Sequence, residues 1–239
     1  MTSLHSSRVK APALLVPGSN LEINDPSSQN SSERGDGDRI EPATLKRNTK
    51  FLICKHPTVF STLNTRSLTL TSRKQELLSC FLKSKIDVLS IQEHRSLHED
   101  IEFQHKVLGK NKFITSSAWK NSQGTTIGGI GILLSQRAAD NLISLKKISK
   151  RIIIAEFNSN PATTFIACYS PTNVSNEADA NDFYSSLTRA ILDTPAHNFL
   201  VIAGDFNAQL GLDNVKFSYH QSTNRNGNKL FDLMLQHNH

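Results

Sequence analysis

Polar and apolar positions divide the chain into two regimes. Up to about Lys50 the residues are largely Ser, Asn, Asp, Gly and Pro, and the one short apolar stretch is Ala13 to Val16. A segment of that kind buries too little apolar surface to offset the entropy of ordering, so residues 1–50 are predicted to be a disordered polar tail. Beyond Lys50, short apolar runs alternate with amphipathic stretches and turn residues, and residues 51–239 are predicted to be the folded domain.

Within that domain the β-branched and apolar run Thr58 to Leu63 predicts a strand that ends at Asn64-Thr65-Arg66. Residues 71–84 place Leu77, Leu78, Phe81 and Leu82 at helical spacing behind a Thr/Ser cap. Further strands are predicted at Val88 to Gln92, Lys112 to Ser116, Gly129 to Leu134, Arg151 to Phe157, Thr163 to Tyr169 and Phe199 to Ala203. The pair around Asn158-Ser159-Asn160-Pro161-Ala162 is linked tightly enough for an antiparallel hairpin. Helices are predicted over Asn176 to Leu192, with Phe183, Leu187, Ala190 and Ile191 on one face, and over Gly227 to His237. Strands interleaved with helices imply mixed α/β layers with sheets on the inside. Gly128-Gly129-Ile130-Gly131 lacks the spacing of a dinucleotide loop, so its glycines are assigned to close packing or a bulge.

Composition narrows the class of protein. With 37% hydrophobic and 20% charged residues the chain suits a soluble globular protein, and the mean hydropathy of -0.35 reflects the polar tail. Cys54, Cys80 and Cys168 are widely spaced and form no metal or redox motif, which fits a reducing, intracellular compartment. No run is long enough to cross a bilayer and no secretory signal is evident, so Asn30-Ser31-Ser32 and Asn173-Val174-Ser175 are read as chance glycosylation patterns. The formal net charge of +6 favours polyanionic partners.

Three polar clusters follow directly on apolar strands: Asn64, Glu93, and Asp205 with Asn207. Groups at strand ends are held by a rigid sheet and face an open rim, where a site can be built. One Glu, one Asp and two Asn supply hard oxygen ligands and amide donors without Cys or His, which suits Mg²⁺ or Mn²⁺ near phosphate and not zinc. A single carboxylate after a strand is ordinarily a turn or cap residue; the set carries the inference.

Five stretches in order, Ser61 to Arg66, Leu89 to Glu93, Gly129 to Leu133, Cys168 to Thr172 and Gly204 to Ala208, resemble the endonuclease/exonuclease/phosphatase superfamily. The likeness is to the apurinic-like endonuclease of LINE-type retrotransposons and covers about residues 58 to 238. The resemblance implies a four-layered α/β sandwich of the deoxyribonuclease I type and attack of a metal-assisted water on a phosphodiester of DNA. It implies that Glu93 ligates Mg²⁺ or Mn²⁺ and that Asn64 holds the metal-proximal end of the site. Asp205 would orient or deprotonate the water, and Asn207 and Tyr169 would donate to phosphate oxygens.

The family pattern also has a later aspartate and then an Asp-His pair. His237 and His239 lack the preceding Ser-Asp, so this chain is expected to be the front portion of such a domain, incomplete at its C-terminus. His94 is expected to point away from Glu93 as its neighbour on an extended chain. Arg66 stands where many nuclease members have an aspartate. The expectation is therefore a monomeric, Mg²⁺-dependent DNA endonuclease with access to chromatin. Alternatives are a catalytically silent remnant that binds nucleic acid weakly, and a phosphatase of the same superfamily.

Overall fold

In the computed structural model, residues 57–98 and 101–237 are described, and all fall in one unit, Arg47–His239. The polar tail expected over residues 1–50 lies outside them. The elements in chain order are β1 (Phe60–Asn64), α1 (Thr71–Lys83), β2 (Val88–Gln92), β3 (Gln104–Leu108), β4 (Asn111–Ser116), β5 (Trp119–Lys120), β6 (Thr126–Ile127), β7 (Ile130–Leu134), α2 (Gln136–Asp140), β8 (Leu142–Ser149), β9 (Ile152–Phe157), β10 (Thr163–Tyr169), α3 (Glu177–Leu192), β11 (Phe199–Asp205) and α4 (Arg225–Gln236).

Two sheets form the centre, one ordered β1-β2-β7-β4-β3 and the other β11-β10-β9-β8, with β5 and β6 as a separate small pair. β1 runs parallel to β2 and β10 parallel to β11, while β9 and β10 make the expected antiparallel hairpin. Side chains alternate along each strand, so one strand serves two packing layers. Ile153, Ala155 and Phe157 of β9 join Phe165, Ala167 and Tyr169 of β10 between the sheets, with Val88, Ile130, Ile132 and Leu134 from the other side. The opposite faces of the same strands, through Ile152, Ile154, Ile166 and Cys168, pack on Phe183, Tyr184 and Leu187 of α3 and Leu233 of α4. On the far side, Leu77 and Phe81 of α1 cover Leu89, Ile91, Phe113 and Leu133.

The result is helix, sheet, sheet, helix, which is the four-layered sandwich expected. Each fully buried Ile or Phe contributes roughly 1.5–3 kcal/mol through removal of apolar surface from water.

Local differences from the sequence reading have physical reasons. α1 starts after Leu70, whose backbone is extended, and no side chain caps it; Thr71 and Ser72 lie inside the first turn. Leu82 is 55% exposed, so the apolar face of α1 is narrower than the spacing suggests. α3 and α4 are capped by Asn176 and Asn224, whose side chains accept from Asp179 N–H and Gly227 N–H. β11 continues to Asp205, two residues past the predicted end, because the parallel ladder holds as far as Tyr169 opposite Asp205.

Candidate functional site

β1, β2, β10 and β11 end at the same rim, and parallel pairing is what aligns their ends. Asn64 closes β1, Glu93 follows β2, Tyr169 closes β10 and Asp205 closes β11. β1 lies against β11, so the two sheets meet where these side chains emerge.

Asn64 joins the two carboxylates. Its Nδ2 donates to Glu93 Oε1 at 2.8 Å and to Asp205 Oδ2 at 2.8 Å. Its Oδ1 accepts the Arg66 N–H at 3.1 Å, so the amide turns its nitrogen and not its oxygen toward the carboxylates. In this geometry Asn64 acts as a donor that keeps two like charges close, not as an oxygen ligand. Tyr169 reaches the same place from the inner face of the second sheet, its hydroxyl donating to Glu93 Oε1 at 3.1 Å.

The loop after β11 is pinned from two directions. Asn207 N–H donates to Asp205 Oδ1 at 2.9 Å, and Asn207 Nδ2 donates to Ser170 O at 2.9 Å. One hydrogen of that amide is thus committed to backbone. α4 supports the loop from below: fully buried Asn226 donates to Pro171 O at 2.8 Å and to Asn207 O at 3.3 Å. Nothing in the spacing of Asn226 marks this role; a buried asparagine at a helix start is the only available signal.

Backbone strain collects at the rim. Glu93, Arg95 and Asn207 have φ of 55°, 55° and 46°, a region in which side chains other than Gly cost roughly 1 kcal/mol or more. Glu93 N–H bonds Gly129 O and Arg95 N–H bonds Gly128 O, so the glycine pair fixes the turn that carries Glu93. A Cβ on Gly128 would overlap the Trp119 ring, and one on Gly129 would overlap the His94 ring. Close packing is the role of these glycines.

His94 lies fully buried, away from the carboxylates. Its Nδ1 accepts the Ser96 N–H at 3.0 Å and its Nε2 donates to Ser116 O at 3.0 Å. Burial drives its pKa down to about 4, so it is neutral and structural at physiological pH.

Burial raises the Glu93 carboxyl, yet hydrogen bonds from Asn64, Arg95 and Tyr169 outweigh it and hold the group below the usual range. Tyr169 is pushed up to about 12 by burial and by the neighbouring Glu93 charge, so it remains a proton donor. Around Tyr169 sits a group that the spacing of residues did not indicate. Arg151 stacks on the Tyr169 ring at 5.3 Å and on Trp119 at 4.8 Å, and Lys150 lies 5.0 Å over Trp119. Beside the carboxylates is a cleft of about 330 Å³ lined by Thr62, Asn64, Gln92, Asp205 and Asn207 among others. A larger cavity of about 700 Å³ between α3 and α4 contains none of these groups.

Two carboxylates reach one nitrogen, so no more than twice that hydrogen-bond length separates them. Among the described residues no group of three or more His, Cys, Asp or Glu could hold an ion. Two carboxylates nevertheless fit Mg²⁺, which keeps several waters and takes few protein ligands beside a phosphate.

No family model matches the chain. In sequence it is similar to craniofacial development protein 2 of Bos taurus, 26% identical over 171 residues, 68% of this chain and 26% of the relative. The Tragulus javanicus protein of the same name is 25% identical over 171 residues, 68% of this chain and 27% of that one. The chain therefore spans about a quarter of the length of the curated relatives it matches. Among solved structures, the AP endonuclease LMAP of Leishmania major superposes with a TM-score of 0.54, at 12% identity over 74% of this chain and 66% of that one. The chain shares the fold of this AP endonuclease. An AP endonuclease of Archaeoglobus fulgidus gives 0.51 at 14% identity, over 75% and 70% of the two chains. The 3'-5' exonuclease NExo of Neisseria meningitidis gives 0.50 at 16% identity, over 73% and 69%.

Proposed function

We propose that this chain carries a Mg²⁺-dependent phosphodiesterase domain that cuts DNA, of the retrotransposon endonuclease type. The observation that carries the reading is the Asn64 bridge: a single amide gathers Glu93 and Asp205 from two sheets at one rim, with Tyr169 on the same oxygen. Bringing two carboxylates to one amide is costly, which favours a cation-binding role, and strained residues on either side support a functional one.

In this reading Glu93 and Asp205 hold the ion, which when bound supplies Lewis-acid stabilisation of phosphoryl and leaving oxygens. Asn64 sets the carboxylate separation. Asp205 orients the attacking water, Tyr169 donates its hydroxyl to a phosphoryl oxygen, and the uncommitted hydrogen of the Asn207 amide does the same. DNA is the substrate that the net charge of +6 and the Lys150, Arg151 and Trp119 cluster favour over a small phosphate ester. The names of the fold relatives, two AP endonucleases and a 3'-5' exonuclease, support the same class.

One observation favours a second reading, a catalytically silent domain that binds nucleic acid weakly: no described histidine is hydrogen-bonded to Glu93 or Asp205, since His94 is turned into the core. A supercoiled-plasmid nicking assay separates the two. Nicking that needs Mg²⁺ and disappears with EDTA or Glu93→Ala supports the enzyme; nicking that survives both controls removes the metal mechanism. Salt-dependent DNA binding without cleavage supports the silent domain.

A further inference from the structure

Glu93 already has a cation. Arg95 Nη2 lies 2.9 Å from Glu93 Oε2, with the two side chains 39% and 19% exposed. Glu93 Oε1 meanwhile accepts from Asn64 and Tyr169. Both oxygens of the carboxylate are thus engaged by donors from this chain itself.

An ion pair this exposed is usually worth little, so its persistence has to come from the backbone. Glu93 and Arg95 share a left-handed φ of 55°, and their N–H groups are tied to Gly129 O and Gly128 O at 2.9 and 3.0 Å. Between them His94 is fixed in the core by Ser116 and Ser96. The turn therefore throws residues 93 and 95 to one side and residue 94 to the other, which aims the guanidinium at the carboxylate. That placement has a cost. Arg95 Nε is buried without a hydrogen-bond partner, a cost that an outward rotamer reaching water would relieve. The backbone of the turn holds Arg95 beside Glu93, where the guanidinium supplies the carboxylate with a counter-charge.

We propose that Arg95 is the built-in counter-cation of Glu93 and is displaced when a divalent ion binds, so that loading exchanges one cation for another and Arg95 sets the ion affinity. This rests on the reading of Glu93 as an ion ligand. With Arg95 paired to Glu93, the two carboxylates and one guanidinium give the site a formal charge of -1 from those three groups. With Arg95 swung out, the ion meets both negative charges, and Arg95 Nε gains a solvent partner.

The test uses the full 239-residue chain and has readouts that need no turnover. Mn²⁺ is titrated by calorimetry and by fluorescence of the single tryptophan, Trp119, whose ring is 6.5 Å from that of Tyr169. Arg95→Gln is expected to bind Mn²⁺ on the order of tenfold more tightly than wild type, the worth of one charge-assisted contact. Arg95→Lys should stay within about twofold, and Glu93→Gln should lose binding. Equal affinity in wild type and Arg95→Gln, with binding lost in Glu93→Gln, overturns the exchange and leaves Glu93 as a ligand. Binding unchanged in Glu93→Gln overturns both readings. Should Arg95→Gln fail to fold, side-chain NMR of wild type decides: Arg95 guanidinium signals must shift on Mg²⁺ saturation, and signals that stay put refute the proposal.

Discussion

Replacing Asn64 with Ala removes one nitrogen and with it two hydrogen bonds of 2.8 Å, one to each carboxylate. A hydrogen bond to a charged group is worth roughly 1.5–3 kcal/mol. The two bonds share a donor and water reaches the cleft, so they do not add fully, and about 3 kcal/mol of stability should be lost at neutral pH. For a domain of this size that corresponds to roughly 6–12 °C in Tm. The sign of the pH dependence follows from Glu93. Its folded pKa is held below the ordinary 4.5, so its contribution is present above that value and disappears as pH falls through the folded pKa. Urea unfolding of wild type and Asn64→Ala should therefore differ by about 3 kcal/mol at pH 7, and the difference should narrow in acid as Glu93 is protonated below its lowered pKa. A variant within about 0.5 kcal/mol of wild type at pH 7 would show that the amide bridge is not holding the carboxylates. A gap that does not narrow in acid would assign the loss to packing.

Three other measurements test separate parts of the structure. Burial pushes both Tyr169 and Tyr184 up to about 12, so in a spectrophotometric titration two of the three tyrosines should ionise only near pH 12, with folding stability lost between pH 10 and that point; a transition of all three together near pH 10 contradicts the burial. His94 should remain neutral, with its proton on Nε2, in NMR spectra down to about pH 4, and stability should fall as pH drops from 6.5 through that value; protonation near 6.5 would place the ring outside the core. A Cβ on Gly204 would overlap the Cys168 carbonyl across the β10 and β11 ladder, so Gly204→Ala should cost roughly 3 kcal/mol or more and displace Asp205; a variant as stable as wild type would mean that β11 is not seated on β10 as described.

How much of this could be read in the residues follows from what each element buries. β2 and β10 are covered on both faces and are rich in β-branched and apolar residues bounded by turn residues, so the limits read from the sequence match those of the fold. β3, Gln-His-Lys-Val-Leu, is an edge strand with Val107 77% exposed, and nothing in its pattern separates it from a loop. β8 was missed for a related reason: shifts in its pairing between Leu142 and Ser144 and between Lys147 and Ser149 break the alternation that would announce it. The short pair β5 and β6 and the single turn of α2 are too brief for any period to register. Residue type and strand-end position singled out Asn64, Glu93, Asp205 and Asn207, and the family resemblance added Tyr169; the fold brings these residues to one rim. Arg95, Trp119, Arg151 and Asn226 were not, because their roles depend on left-handed turns and cross-sheet stacking that leave no local mark.

β1 and β11 belong to different sheets, yet they lie against each other and bring Asn64, already bonded to Glu93 of its own sheet, onto Asp205. The gap between the carboxylates is thus a gauge of how the sheets are seated. A slide of one sheet past the other by less than an ångström would stretch or release a 2.8 Å contact, with no side chain in the cleft altered. Substitutions deep between the sheets, at Ile132 or Phe165 for instance, can accordingly detune the rim from a distance.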